Sequence, residues 1–181
     1  MLLTIPNEVI EAARNGESER MECLLRALWP HAYRIARSIV QDDLLAEDAA
    51  QEACAVIYRE ISRLRSADAF RVWVYRIVAR EALRLAKRDA SHRSIAKDQR
   101  SAPDVETRLD VLQAVAALPP ALRAAVVLHY YADLSSTEIG NVLRIPAATV
   151  RFRLAQARRR LSDILASDTS LATALELCHE Q

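Results

Sequence analysis

The spacing of apolar positions along this chain predicts a succession of helices. Apolar residues recur at intervals of three and four over residues 6–15, 18–40, 44–64 and 68–88, and again over 105–118, 119–132, 136–143 and 146–165. Pro30 falls inside the second segment and predicts a break or kink, because proline removes a helical hydrogen bond and crowds the preceding turn. Between residues 89 and 103 (DASHRSIAKDQRSAP) one isolated isoleucine stands in a polar stretch without period, which predicts a flexible linker. The expected fold is therefore all-α: two small helical domains joined by a flexible linker. The first spans residues 1–89, the linker 90–104 and the second 105–165. In the tail, residues 166–181, Leu171, Leu175 and Leu177 leave two readings open: a small helix docking back, or one that binds a regulator.

Composition narrows the function. The chain of 181 residues has two glycines, Gly16 and Gly140, which excludes a glycine-rich phosphate cradle and disfavours hairpin-rich sheets. Its 32 alanines and 23 leucines suit helices packed through small and aliphatic side chains. The longest apolar run, residues 114–128, is interrupted by Pro119, Pro120 and Arg123, so no membrane span is expected. The opening MLLTIPNEVIEAARNG lacks a basic stretch and carries Glu8 and Glu11, unlike a signal peptide. Three widely spaced cysteines fit a reducing compartment, and a cytoplasmic location is expected. His31, His92 and His129 have no carboxylate or nucleophile at a meaningful spacing, and Cys178-His179 is a single pair. No catalytic residue, metal, cofactor or small-molecule substrate is expected.

The net charge of +1 hides a segregation of sign. Residues 1–60 sum to −5, residues 71–100 to +6, residues 101–143 to −3, residues 144–160 to +6 with no acid, and residues 161–181 to −4. Two basic blocks among acidic ones suggest two contacts with a polyanion, leaving acidic surfaces for protein partners. The second block lies on a helix that follows a short, sharply capped one: Ser135 and Glu138 form a capping box, and residues 144–146 a tight break. That is the layout of a helix-turn-helix, the alternative being a helical hairpin with a basic solvent face. On its second helix Val150, Leu154, Ala157 and Leu161 share the face to be buried; Ala148, Phe152, Ala155, Gln156 and Arg159 lie opposite. Arg151 and Arg158 flank that outer face on one side, and Thr149, Arg153 and Arg160 on the other. Such a helix suits a major groove, with central residues at base edges and flanking arginines on phosphates.

In the first domain, Asp48, Gln51, Ala55 and Tyr58 form an outward stripe bordered by Glu52 and Arg59, opposite a buried face of Leu45, Ala49, Ala53, Val56, Ile57 and Leu64. An acidic-polar stripe alone is ordinarily a solvated face. On the next helix Arg76, Arg80 and Lys87 line up, with Arg84 at the edge and Arg71 near the start. Like charges four apart cost an isolated helix roughly 0.2 to 0.5 kcal/mol per pair, so the stripe is easier to understand facing phosphates. Phe70, Trp73 and Tyr75 stand beside it and suit either stacking on unpaired bases or, for Phe70 and Trp73, the core.

Three segments in order carry a resemblance: AEDAAQEACAVIYREI (46–61), FRVWVYRIVAREALRLAKR (70–88) and LPPALRAAVVLHYYADLSSTEIGNVLRIPAATVRFRLAQARRRL (118–161). They resemble the signatures of bacterial sigma factors, and the two-domain form is similar to the extracytoplasmic-function (ECF) group of the sigma-70 family. The resemblance implies a subunit that binds core RNA polymerase and directs initiation at promoters, with an anti-sigma factor as a further partner. It implies that Asp48, Gln51, Glu52, Ala55 and Tyr58 face the polymerase clamp. Arg71, Trp73, Tyr75, Arg76, Arg80, Arg84 and Lys87 would hold the partly single-stranded −10 element. Trp73 would act as a wedge, and the loop at 62–68 would take a flipped base. Thr149, Arg151, Phe152, Arg153, Gln156, Arg158 and Arg159 would read the double-stranded −35 element. The chain departs from the family pattern at Arg80, Arg84, Gly140, Asn141, Arg144 and Phe152, so base preference does not carry over, and a left-handed turn at Arg144 is expected to be mildly strained. The alternative from the same residues is a helix-turn-helix regulator that binds DNA without polymerase.

Overall fold

The computed structural model describes residues 5–95 and 111–178, with side chains over 5–89 and 113–165. Among these residues the chain is helical and without strands: α1 (Asn7–Arg14), α2 (Ser18–Val40), α3 (Asp43–Glu60), α4 (Phe70–Ile95), α5 (Val111–Ala116), α6 (Pro120–Val126), α7 (Ser136–Leu143) and α8 (Ala147–Cys178). Short 3-10 turns, Ile61–Arg63 and Ala67–Ala69, lead from α3 into α4, and a π-helical turn, Val127–Tyr131, ends α6.

Helix α2 runs through Pro30 without a break, against the expectation. Pro30 is exposed, so the carbonyl it leaves unpaired reaches water, while buried Leu24, Leu28, Ala32, Ile35 and Ile39 hold both sides of the helix to the core. The α2–α3 corner takes two residues. Gln41 is left-handed (φ 63°) and closes α2, and the Asp42 carboxylate accepts from Leu45 N (3.1 Å) to start α3. Asp43 accepts from Tyr33 Oη (3.0 Å) and from Arg37 Nε, and the Arg37 bond, followed by the Tyr33 bond, holds its carboxyl below the usual range.

Helix α4 continues to Ile95, past the expected end at residue 88, and the rest of the expected linker lies outside the described residues. Tail residues to Cys178 prolong α8. In the C-terminal half α8 packs on α6 and α7, with Val150, Leu154 and Ala157 inward as the periodicity predicts. The turn between α7 and α8 has Arg144 at φ 55°, ψ 47°, the left-handed conformation expected there. Gly140 is required by the same turn, because an added Cβ would lie 2.8 Å from the Ile145 carbonyl oxygen.

The capping box of α7 is complete. Ser135 Oγ accepts from Glu138 N (3.2 Å), and the Glu138 carboxylate accepts from Ser135 N (2.8 Å). The Ser135 side chain and then its backbone N–H hold the Glu138 carboxyl below the ordinary glutamate range. The box therefore stabilises α7 fully above that range and is lost as pH falls through the lowered value. Ser135→Ala is expected to cost about 1 kcal/mol and to return Glu138 toward its ordinary pKa; thermal melts and carboxyl NMR titration read both effects.

The two halves are in contact. Helix α4 lies between α2 and α3 on one side and α7 on another, α6 touches α2, and the buried residues of both halves form one continuous cluster.

Candidate nucleic-acid interface

Three surfaces of different chemistry lie on α3, α4 and α8. On α3, Asp48, Gln51, Glu52 and Tyr58 are exposed, Tyr58 at 62%, and Ala55 is half-buried. Arg59 donates to Glu52 (3.3 Å) across the border of the stripe. Sequence reasoning missed Leu44, which is 75% exposed. Leu44, Asp48, Gln51, Ala55 and Tyr58 follow one another at intervals of 4, 3, 4 and 3 residues, the seam of a helix that packs on other helices. The signal was an apolar residue in register with a polar stripe.

On α4, Arg76, Arg80, Arg84 and Lys87 are exposed. Arg84 Nε donates to the nearly buried carboxylate of Glu81 (2.7 Å), and Arg80 Nε lies 3.9 Å from the same group. Glu81, absent from the sequence reading, thus organises two cations of the stripe. Tyr75 requires a correction. It is 1% exposed and belongs to the core, so its ring has no face to offer a base. Trp73 is half-buried, 6.2 Å between centroids from buried Phe70. Trp73 and Arg76 line two cavities. One, about 650 Å³, is bounded by Arg63, Leu64 and Arg65 of the loop before α4; the other, about 590 Å³, lies between α4 and the end of α7.

Arg71 is placed differently from the other cations. It is half-buried, donates to the Ala132 carbonyl (3.0 Å) and approaches Glu138 (3.9 Å), so it links the two halves. A stronger link escaped the sequence reading: Arg123, which registered only as the charge that interrupts an apolar run. It is 6% exposed, donates to Ile39 O (2.9 Å from Nε), to Leu118 O (3.1 Å) and to Ala116 O, and burial lowers its pKa.

On α8, Arg151, Phe152, Arg158 and Arg159 are exposed, and Thr149, Arg153 and Gln156 are half-buried. Phe152, 67% exposed, stands out from the buried seam as its angle predicts. The Leu171 and Leu175 side chains of the tail lie outside the described residues. Among the described residues no group of three metal-ligating side chains is placed to hold an ion, and no helix is long and apolar enough to cross a membrane.

These three helices fall within two matched family models: sigma-70 region 2 over residues 24–92 and sigma-70 region 4 over residues 108–161. The chain belongs to the sigma-70 family of RNA polymerase sigma factors. Within that family most of the relatives it matches carry ECF names. It is 31% identical over 166 residues to the ECF RNA polymerase sigma factor SigE of Mycolicibacterium smegmatis, covering 81% of this chain and 62% of the relative. It is 26% identical to the RNA polymerase sigma-H factor of Pseudomonas aeruginosa, covering 87% and 92%. The fold is that of CnrH in complex with the cytosolic domain of CnrY, with a TM-score of 0.66 and 21% identity over 90% of this chain and 97% of the other. A further match is the sigma factor RpoE in complex with the anti-sigma factor NepR from Bartonella quintana, with a TM-score of 0.64 and 18% identity over 81% and 97%. The protein is an ECF-type sigma factor, a subunit that binds core RNA polymerase and directs transcription initiation at promoters.

Proposed function

We propose that the three surfaces divide the work of initiation. Asp48, Gln51, Glu52, Ala55 and Tyr58, joined by Leu44, hold the helices of the polymerase clamp. Arg71, Trp73, Arg76, Arg80, Arg84 and Lys87 hold the −10 element, and the cavity beside Arg63 and Arg65 receives an unpaired base. Thr149, Arg151, Phe152, Arg153, Gln156, Arg158 and Arg159 read the −35 element. The observation that carries this reading is the seam on α3: an exposed stripe with apolar ends and a heptad-like spacing fits a helical protein partner, whereas α4 and α8 present cations suited to phosphates. The protein is a regulatory subunit without catalytic residues or cofactor, works in the cytoplasm, and takes an anti-sigma factor as its further partner, as the RpoE relative does.

Asp48 and Gln51 are exposed, so their replacement by alanine leaves the fold intact. The double variant is expected to bind core polymerase about tenfold more weakly, as loss of a central interface contact does. Titration of labelled protein with core polymerase measures this, and an unchanged affinity rejects the assignment of α3.

A further inference from the structure

Helix α1 precedes the residues matched to sigma-70 region 2, which begin at 24, and none of the three surfaces lies on it. Its contacts give it a task. Ile10 and Ala13 are buried and fix α1 against α2, and α1 also touches both 3-10 turns, Ile61–Arg63 and Ala67–Ala69, that lead from α3 into α4. Both ends of the segment 64–68 are tied to it. Arg14, in the last turn of α1, donates from Nη1 to the Leu64 carbonyl (3.5 Å) and to the Arg65 carbonyl (3.4 Å). Asn7, in the first turn, donates from Nδ2 to the Asp68 carboxylate (3.3 Å). Arg14 is itself held, because its Nη2 lies 2.7 Å from the Glu11 carboxylate one turn back. From residue 7 to residue 14 the helix rises about 10 Å, so the two ties sit on one rigid rod.

The backbone between the ties has little support of its own. The two 3-10 turns close on themselves, Leu64 N on the Ile61 carbonyl (2.9 Å) and Ala69 N on the Ser66 carbonyl (3.2 Å), and extended backbone at Leu64 and Ser66 joins them. Arg14 supplies the carbonyls of that join with a charged donor from outside the segment. Leu64 and Arg65 also bound the cavity of about 650 Å³ beside Trp73 and Arg76, so the same bonds fix the backbone of its rim. A base taken out of its stack is held by a pocket that fits it closely. Ordering a loop at the moment of binding costs affinity, and a rim fixed beforehand avoids that cost.

We propose, on the assignment of that cavity to an unpaired base, that Arg14 is a positioning residue for promoter opening: with Asn7 it splints the 64–68 segment to α1, and the cavity meets the base with its rim already set. Arg14 acts through the segment and touches no DNA itself.

The test uses holoenzyme assembled from core polymerase and the full chain as wild type, Arg14→Ala and Asn7→Ala. The probe is a fork-junction DNA made from a promoter that the wild type uses in run-off transcription, intact or with an abasic site at each position of the unpaired −10 strand in turn. At one position the abasic site is expected to weaken wild-type binding; there Arg14→Ala is expected to lose roughly fivefold on the intact DNA and little on the abasic one, with an unchanged salt slope. Amide exchange at residues 65–68 of the free protein is expected to quicken in both variants. Equal losses on the two DNAs overturn the proposal, as does a slope lower by about 0.7, which makes Arg14 a phosphate contact. Unchanged exchange in both variants overturns the splint. Asn7 is exposed and does not cap α1, so if Arg14→Ala loses helix content, Asn7→Ala, expected to act in the same direction by about twofold, decides on the same criteria. A wild type indifferent to every abasic site overturns the assignment of the cavity and the proposal with it, and is told apart from the other failures by the wild type alone.

Discussion

Replacing Arg76, Arg80 and Lys87 together by alanine is expected to flatten the salt dependence of promoter-complex formation by about 2 to 3 units in log K against log salt. Each phosphate contact contributes roughly 0.7 to 0.9 units, depending on whether the strand is single or duplex. At about 0.1 M salt the loss is on the order of a hundredfold in affinity. All three side chains are exposed, so the core does not change. Removing like charges four residues apart relieves roughly 0.2 to 0.5 kcal/mol of repulsion per pair. Arg84 is left in place because Glu81 holds it at 2.7 Å, and losing it would strand a nearly buried carboxylate. Complex formation by the variant holoenzyme over a salt series reads the slope directly. An unaltered slope means that the stripe is solvated in the complex as it is in the free chain.

Phe152→Ala is expected to act at one base pair. A ring 67% exposed at the centre of the outer face of α8 gains little from its own fold. Set against a major groove, it presses on a thymine methyl while the neighbouring arginines fix the register of the helix. The promoter is therefore expected to carry a thymine in the −35 element opposite this residue. The substitution is expected to cost about 1 to 3 kcal/mol there, relaxing preference at that position with little change in salt slope or melting temperature. Selection from a library randomised across the element gives the profile. An unchanged profile rejects the contact with DNA, and a drop in melting temperature assigns Phe152 to packing.

Periodicity carried most of the local structure. Val150, Leu154 and Ala157 are buried and Phe152 is exposed as their angles require, and α7 begins and ends at the expected residues because Ser135, Glu138 and the Arg144 turn are local signals. What local patterns do not encode is which faces meet at a distance. Tyr75 looked available beside a basic stripe, but α4 is covered by α2, α3 and α7, so its buried arc is wider than one apolar stripe: Val78, Ala79 and Ala82 are buried along with Phe70, Val74, Ile77 and Leu85. Arg123 read as an interruption in an apolar run because its acceptor Ile39 lies 84 residues away. Helix α4 outran its apolar period because extending a formed helix costs far less than nucleating one.

The most direct test of the account is run-off transcription with purified core polymerase and a genomic template pool, with and without the protein. Discrete start sites sharing one pair of upstream elements, present only when the protein is added and lost in the Asp48→Ala, Gln51→Ala double variant, are the predicted result. Sequence-specific binding of the protein to DNA with no protein-dependent start site would contradict it and leave a helix-turn-helix regulator that acts without polymerase.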